Sequence, residues 1–132
     1  MIKKISHIGI AVKNLEISKD IYKQLLQSEP SAAEIVTEQK VKVVKFMLGG
    51  ISIELLEPRA DDSPIAKFIE KRGEGIHHIA YESDNINEEL DRLDSRGFEL
   101  IDRKPLVGSD RMKIAFIKPK SLSGVLTEIC QH

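Results

Sequence analysis

Apolar residues recur along this chain in two rhythms, one of period two and one near 3.6. Residues 5–12 alternate, with Ile5, His7, Gly9 and Ala11 on one face and Ser6, Ile8, Ile10 and Val12 on the other, which predicts a strand. Asn14 then offers an N-cap, and Leu15, Ile17, Ile21, Leu25 and Leu26, with Tyr22 between them, repeat at helical spacing. Pro30 bars that helix from continuing. Three strands are predicted next, over 33–38, 41–48 and 51–57, with turns at Glu38-Gln39-Lys40 and Gly49-Gly50. After a polar linker at 59–63, Ser63-Pro64 starts a second helix carrying Ile65, Phe68 and Ile69, and Gly73 stops it. The opening pattern then restarts. Residues 76–82 read as a strand, and Asp84 or Asn85 caps a helix with Ile86, Leu90 and Leu93 that ends at Gly97. Strands are predicted over 98–101, 113–117 and 125–130, with loops at Gly108-Ser109-Asp110 and 119–123.

Each half therefore reads as strand, helix and three strands, and the two halves align. Ser6-His7-Ile8-Gly9-Ile10-Ala11 matches His77-His78-Ile79-Ala80-Tyr81-Glu82 at an offset of 71. Val44-Lys45-Phe46-Met47 matches Ile114-Ala115-Phe116-Ile117 at 70, and Gly50-Ile51-Ser52-Ile53-Glu54-Leu55 matches Gly124-Val125-Leu126-Thr127-Glu128-Ile129 at 74. One short insertion between Phe116 and Gly124 accounts for the drift.

Bulk composition narrows the function classes. A chain of 132 residues is one domain, or two small halves sharing a core. Its net charge of −1, with both signs interspersed, lacks the basic face that nucleic acid requires. No run of apolar residues is long enough for a membrane span, and the start reads as strand and polar helix, not signal peptide. The single cysteine, Cys130, allows no internal disulfide, fits a reducing cytoplasm, and reads as a small apolar filler.

The repeat places His7 over His78 and Glu54 over Glu128. A glutamate inside an apolar strand is costly to bury without compensation, and Ile53-Glu54-Leu55 and Thr127-Glu128-Ile129 both have that form. With Ile53, Leu55, Val125 and Ile129 facing the helices, the glutamates face the other way, and alternation turns His7 and His78 to the same side. Two imidazoles and two carboxylates suit a divalent transition ion, with water or substrate in the remaining positions. His77 alternates away from His78 and reads as structural; His132 reads as solvated.

These residues carry a resemblance. His7-Ile8-Gly9-Ile10-Ala11-Val12, Ile53-Glu54-Leu55-Leu56-Glu57-Pro58, Asp62-Ser63-Pro64-Ile65-Ala66-Lys67-Phe68-Ile69, Gly73-Glu74-Gly75-Ile76-His77-His78-Ile79-Ala80, Pro119-Lys120-Ser121 and Gly124-Val125-Leu126-Thr127-Glu128 resemble the vicinal oxygen chelate superfamily. Within it they look like the methylmalonyl-CoA epimerases over nearly the whole chain. The resemblance implies an α+β fold of two βαβββ modules forming a cupped mixed sheet around a metal site. A single domain, 1–132, would comprise module one at about 1–58, a connecting helix at about 62–73 and module two at about 75–132. It implies His7, Glu54, His78 and Glu128 as ligands of one divalent ion, Co, Zn, Ni or Mn; some epimerases have glutamine in place of Glu54.

The implied reaction interconverts (2R)- and (2S)-methylmalonyl-CoA by proton abstraction α to the thioester, through a metal-stabilised enolate. It needs a base on each face, and Glu128 and Glu54 are the expected pair. Some epimerases carry a further glutamate at about the position of Lys45. Lysine cannot copy a carboxylate base, but it supplies an acid or a partner for the substrate carboxylate. The stretch 110–113 also departs from the family's Gly-rich loop. Lys118, Lys120, Arg72 and Arg111 are the candidate contacts for CoA phosphates. A homodimer in the cytoplasm is expected. The rival readings are glyoxalase I, which shares the ligand set and proton-transfer chemistry, and a metal-free small-molecule binder of the same fold, a class that generally loses the ligands.

Overall fold

The computed structural model describes all residues, 1–132, as an α+β fold with a mixed sheet of eight strands and three α-helices. The chain forms two compact units. One is continuous, residues 8–77; the other combines residues 1–7 with 78–132. Strand β1, Ile2–Ala11, begins in the second unit and ends in the first.

In the unit of residues 8–77 the strand order is β2-β3-β4-β1. Here β2 is Glu34–Val36, β3 is Val41–Leu48 and β4 is Ile51–Pro58, and β3 pairs antiparallel with both neighbours. Helix α1, Leu15–Leu26, starts at Asn14, whose side chain accepts the Ile17 N–H, and Gln27 ends it in a left-handed conformation. Leu15, Tyr22 and Leu26 pack with Val12, Val44, Phe46, Ile53 and Leu55. The helical rhythm overstated the buried face: Ile17, Ile21 and Leu25 lie on the outer side and are exposed. Helix α2, Pro64–Arg72, is capped by Ser63 and packs Ile65, Phe68 and Ile69 against Ala11, Val36, Val41, Val43 and Leu56. The strand expected over 33–38 shortens to β2, because Thr37–Gln39 turns as a single 3-10 helix and Lys40 takes the left-handed conformation.

In the other unit the order is β1-β5-β8-β7-β6. Strand β5, Gly75–Ser83, pairs parallel with β8, Thr127–Gln131, which pairs antiparallel with β7, Lys113–Ile117. Helix α3, Ile86–Ser95, is capped by Asn85, and packs Ile86, Leu90 and Leu93 against Ala115, Ile117 and Ile129.

Three expectations fail here. Residues 98–101 are not a strand. The Gly97 and Phe98 N–H groups bond back to Asp94 and Leu93 at the end of α3, and the Glu99 N–H goes to Ser121, which leaves one bridge, Leu100 to Ile117. The edge strand is instead β6, Leu106–Val107. Strand β8 begins at Thr127, not at 125, because the Val125 N–H closes a turn onto Leu122; Val125 is exposed. Finally, the alignment of β3 with β7 shifts by one. Lys45 pairs with Glu54 and Phe116 pairs with Glu128, so Lys45 corresponds to Phe116 and the offset is 71, not 70.

The duplication extends to the helix starts. Glu57, three residues after Glu54, accepts the Leu15 N–H at 2.7 Å; Gln131, three residues after Glu128, accepts the Ile86 N–H at 2.8 Å. In each half the last strand holds the helix N-terminus by the same bond.

Candidate metal centre

Strands β1, β5 and β8 bring His7, His78 and Glu128 together within one unit. Alternation along each strand turns these side chains away from the helix-facing residues Tyr81 and Ile129. All three are at most 4% exposed. The His7 and His78 Nε2 atoms are 3.2 Å apart, with the rings edge to face. Glu128 Oε2 is 3.1 Å from His7 Nε2, and its Oε1 is 3.7 Å from His78 Nε2. Ser6 Oγ and His7 Nδ1 form a hydrogen bond at 3.0 Å; with the ring N–H donating there, Nε2 presents its lone pair to the cluster. The Phe116 ring stands edge-on to His78, with centroids 5.4 Å apart, and restricts its tilt.

A divalent ion fits this arrangement. Metal–ligand bonds of about 2.1 Å put neighbouring donor atoms about 3.0 Å apart in an octahedron and about 3.4 Å apart in a tetrahedron. The separations of 3.1 and 3.2 Å lie between those edges, and the 3.7 Å separation, measured to the other carboxylate oxygen, is slightly longer than either. Glu128 Oε2 is buried yet accepts no hydrogen bond, a costly state for a carboxylate oxygen unless a cation is its partner.

Glu54 is the fourth expected ligand, and it lies in the unit of residues 8–77. It is buried on β4, as its apolar neighbours required. Lys45 sits directly across the β3–β4 ladder, with Nζ 4.0 Å from Glu54 Oε2 and a mostly buried side chain. The ammonium offsets part of the cost of burying that carboxylate.

The remaining candidates scatter. His77 turns the other way and packs edge-on against Phe68 of α2 at 5.0 Å; burial pushes its imidazole pKa down to about 4. His132 is exposed, 3.7 Å from Glu82. Lys118 and Lys120 converge on Glu99 at 3.5 and 3.0 Å, and the Lys120 hydrogen bond holds that carboxyl below its ordinary pKa. Arg72 lies over the Phe68 ring, and Arg111 sits beside Asp110 in a turn where both take left-handed conformations.

Two residues beside the histidines escaped the sequence reading. Phe116 looked like ordinary core, and only the corrected register pairs it with Glu128. Cys130 is the buried apolar filler expected, among Ala80, Met112 and Ile114, and it also adjoins the cluster: ligand atoms of His7, Glu128 and Cys130 lie within 4.8 Å of one another. Its position two residues after Glu128 on one strand was the available signal.

Comparison with known proteins agrees with this geometry. Residues 6–116 match the glyoxalase/bleomycin resistance protein/dioxygenase superfamily. The mitochondrial methylmalonyl-CoA epimerase of Dictyostelium discoideum is 37% identical over 97% of this chain and 78% of its own length. The ethylmalonyl-CoA/methylmalonyl-CoA epimerase of Cereibacter sphaeroides is 36% identical over 99% of both chains. A variant of the Streptomyces coelicolor methylmalonyl-CoA epimerase, solved with 2-nitronate-propionyl-CoA, superposes with a TM-score of 0.95 at 31% identity, covering 99% of this chain and 95% of that one. The architecture is thus that of the vicinal oxygen chelate proteins, as the resemblance implied. This chain belongs to the glyoxalase/bleomycin resistance protein/dioxygenase superfamily, and its kinship with the epimerases of that superfamily makes it an isomerase.

Proposed function

We propose that this protein interconverts the (2R) and (2S) forms of methylmalonyl-CoA, using a divalent ion held by His7, His78, Glu128 and Glu54. The observation that carries the proposal is the buried triad of His7, His78 and Glu128 with donor atoms at ligand spacing. The relatives at 36 and 37% identity favour this substrate over the hemithioacetal of glyoxalase I. Glu54 enters as the repeat counterpart of Glu128, one acidic residue from each half of a single duplicated domain.

A bound divalent ion supplies positive charge at the thioester carbonyl, which acidifies the neighbouring C–H. The chain's own groups do the rest. A Glu128 carboxylate oxygen takes the α proton on one face, Glu54 in its protonated form gives one back on the other, and both reset by exchange with solvent between turnovers. The Lys45 ammonium, 4.0 Å from Glu54, steadies that carboxylate and attracts the free carboxylate of the substrate. His7 and His78 keep their Nε2 atoms for the ion, the first through its bond with Ser6. Lys118 and Lys120, both paired with Glu99, and Arg72 and Arg111 are the cations proposed for the CoA phosphates. The working form is a homodimer in the cytoplasm, which sedimentation of the purified protein tests. No helix is long and apolar enough to cross a membrane.

The deciding experiment follows α-proton exchange of methylmalonyl-CoA in deuterated water by NMR, with lactoylglutathione formation assayed in parallel. Rapid deuterium incorporation, dependent on added Co, Zn, Ni or Mn, is the expected result. Exchange no faster than the uncatalysed rate would overturn the assignment, and lactoylglutathione production would move it to glyoxalase I.

A further inference from the structure

The triad has a sulfur neighbour that the proposed reaction does not use. Cys130 follows Glu128 by two residues on β8, is fully buried, and lies with its Sγ within 4.8 Å of ligand atoms of both His7 and Glu128. We propose that Cys130 is an additional ligand on the His7–Glu128 edge, recruited when the ion is thiophilic. The proposal rests on the reading that this cluster holds a metal.

Three observations support it. Glu128 is 3% exposed, and its Oε2 is buried without a hydrogen bond, so this edge of the cluster carries a carboxylate oxygen suited to a cation. The Cys130 thiol donates to the Tyr81 carbonyl at 3.6 Å, a weak bond that a rotamer change breaks at small cost. Packing does not demand the sulfur. Cys130 pairs with Ile114 as Leu56 pairs with Val43, so the other half fills the equivalent position with a hydrocarbon side chain.

The distances separate two coordination modes. His7, His78 and Glu128 stand at nitrogen–oxygen spacing, which serves a hard or borderline ion. Zinc–sulfur bonds are longer, about 2.3 Å, and set a sulfur and an oxygen on one tetrahedral ion about 3.6 Å apart. Cys130, within 4.8 Å of its neighbours, therefore has at most about 1.2 Å to close, which a soft cation rewards and a hard one does not. In that step the Cys130 S–H bond breaks, its proton leaves to solvent, and a sulfur–metal bond forms. Cadmium and, less strongly, cobalt would engage the thiolate; manganese would not.

The test is spectroscopic, on the full chain loaded separately with Cd2+, Co2+ and Mn2+. The chain has one cysteine, so a thiolate-to-metal charge-transfer band in the ultraviolet assigns itself without any variant. The expected result is such a band with Cd2+, lost in Cys130→Ala. Cd2+ affinity then falls about tenfold or more in the variant, while Mn2+ affinity changes less than about twofold. Cys130→Leu, which copies the Leu56 side chain, serves if the alanine variant does not fold. Bound Cd2+ with no thiolate band in the wild-type protein overturns the role of Cys130 and leaves the metal reading standing. Failure to bind any of the three ions overturns both.

Discussion

At the scale of single residues, burial and charge decide the chemistry. The proposed function gives Glu128 the roles of ligand and base together, so Glu128→Ala is expected to leave less than about a tenth of the turnover and to weaken metal binding in the same protein. A dialysed metal count beside the exchange assay checks both. His77 is the internal control: it packs on Phe68, so His77→Phe should retain turnover where His78→Ala loses it. Lys45→Ala is expected to lower the exchange rate and raise KM for the substrate, because the ammonium beside Glu54 is removed; an unchanged rate removes Lys45 from the mechanism. The burial of His7, Glu54, His78 and Glu128 was legible in the sequence because glutamate and histidine within apolar strands stand out among their neighbours. The place of Phe116 and Cys130 beside the cluster was not, since an aromatic ring and a thiol among Ala80, Met112 and Ile114 look like any core.

At the scale of elements, each helix is positioned by named bonds at its start. Ser63 accepts the Ile65 N–H and donates to the Gln39 carbonyl, and so ties α2 to the turn before β3. Ser63→Ala should cost about 1–2 kcal/mol, read as a shifted urea midpoint with turnover per folded molecule intact. Glu57 and Gln131 fix α1 and α3 to the strands that carry Glu54 and Glu128. Strands β3 and β7 were readable to the residue because β-branched and aromatic residues run between clear turns. The segment 98–101 misled because Phe98 and Leu100 are genuinely packed, yet the Phe98 and Glu99 N–H groups go to the α3 terminus and to Ser121, which leaves only the single bridge from Leu100 to Ile117. Hydrophobicity marks what is buried; only the destination of the N–H groups distinguishes a strand from a packed loop.

At the scale of the whole molecule, an ion that binds only the folded chain stabilises it. At about a hundred times its dissociation constant the gain is about 2.7 kcal/mol, or about 10 °C in melting temperature for a chain of this size. Calorimetry with and without chelator measures this, and an unchanged melting temperature would count against the metal centre. The sequence showed the duplicated pattern, but not that β1 is divided between the units, since strand partners are settled by contacts remote along the chain. That division has a consequence for birth at the ribosome. The unit of residues 8–77 is one uninterrupted stretch, ready to fold once residue 77 has emerged. The other cannot close until β8 is made, because His7 must meet Glu128, which that last strand carries. The cluster of His7, His78 and Glu128 thus joins a residue near the start of the chain to one near its end, and is among the last contacts a nascent chain makes.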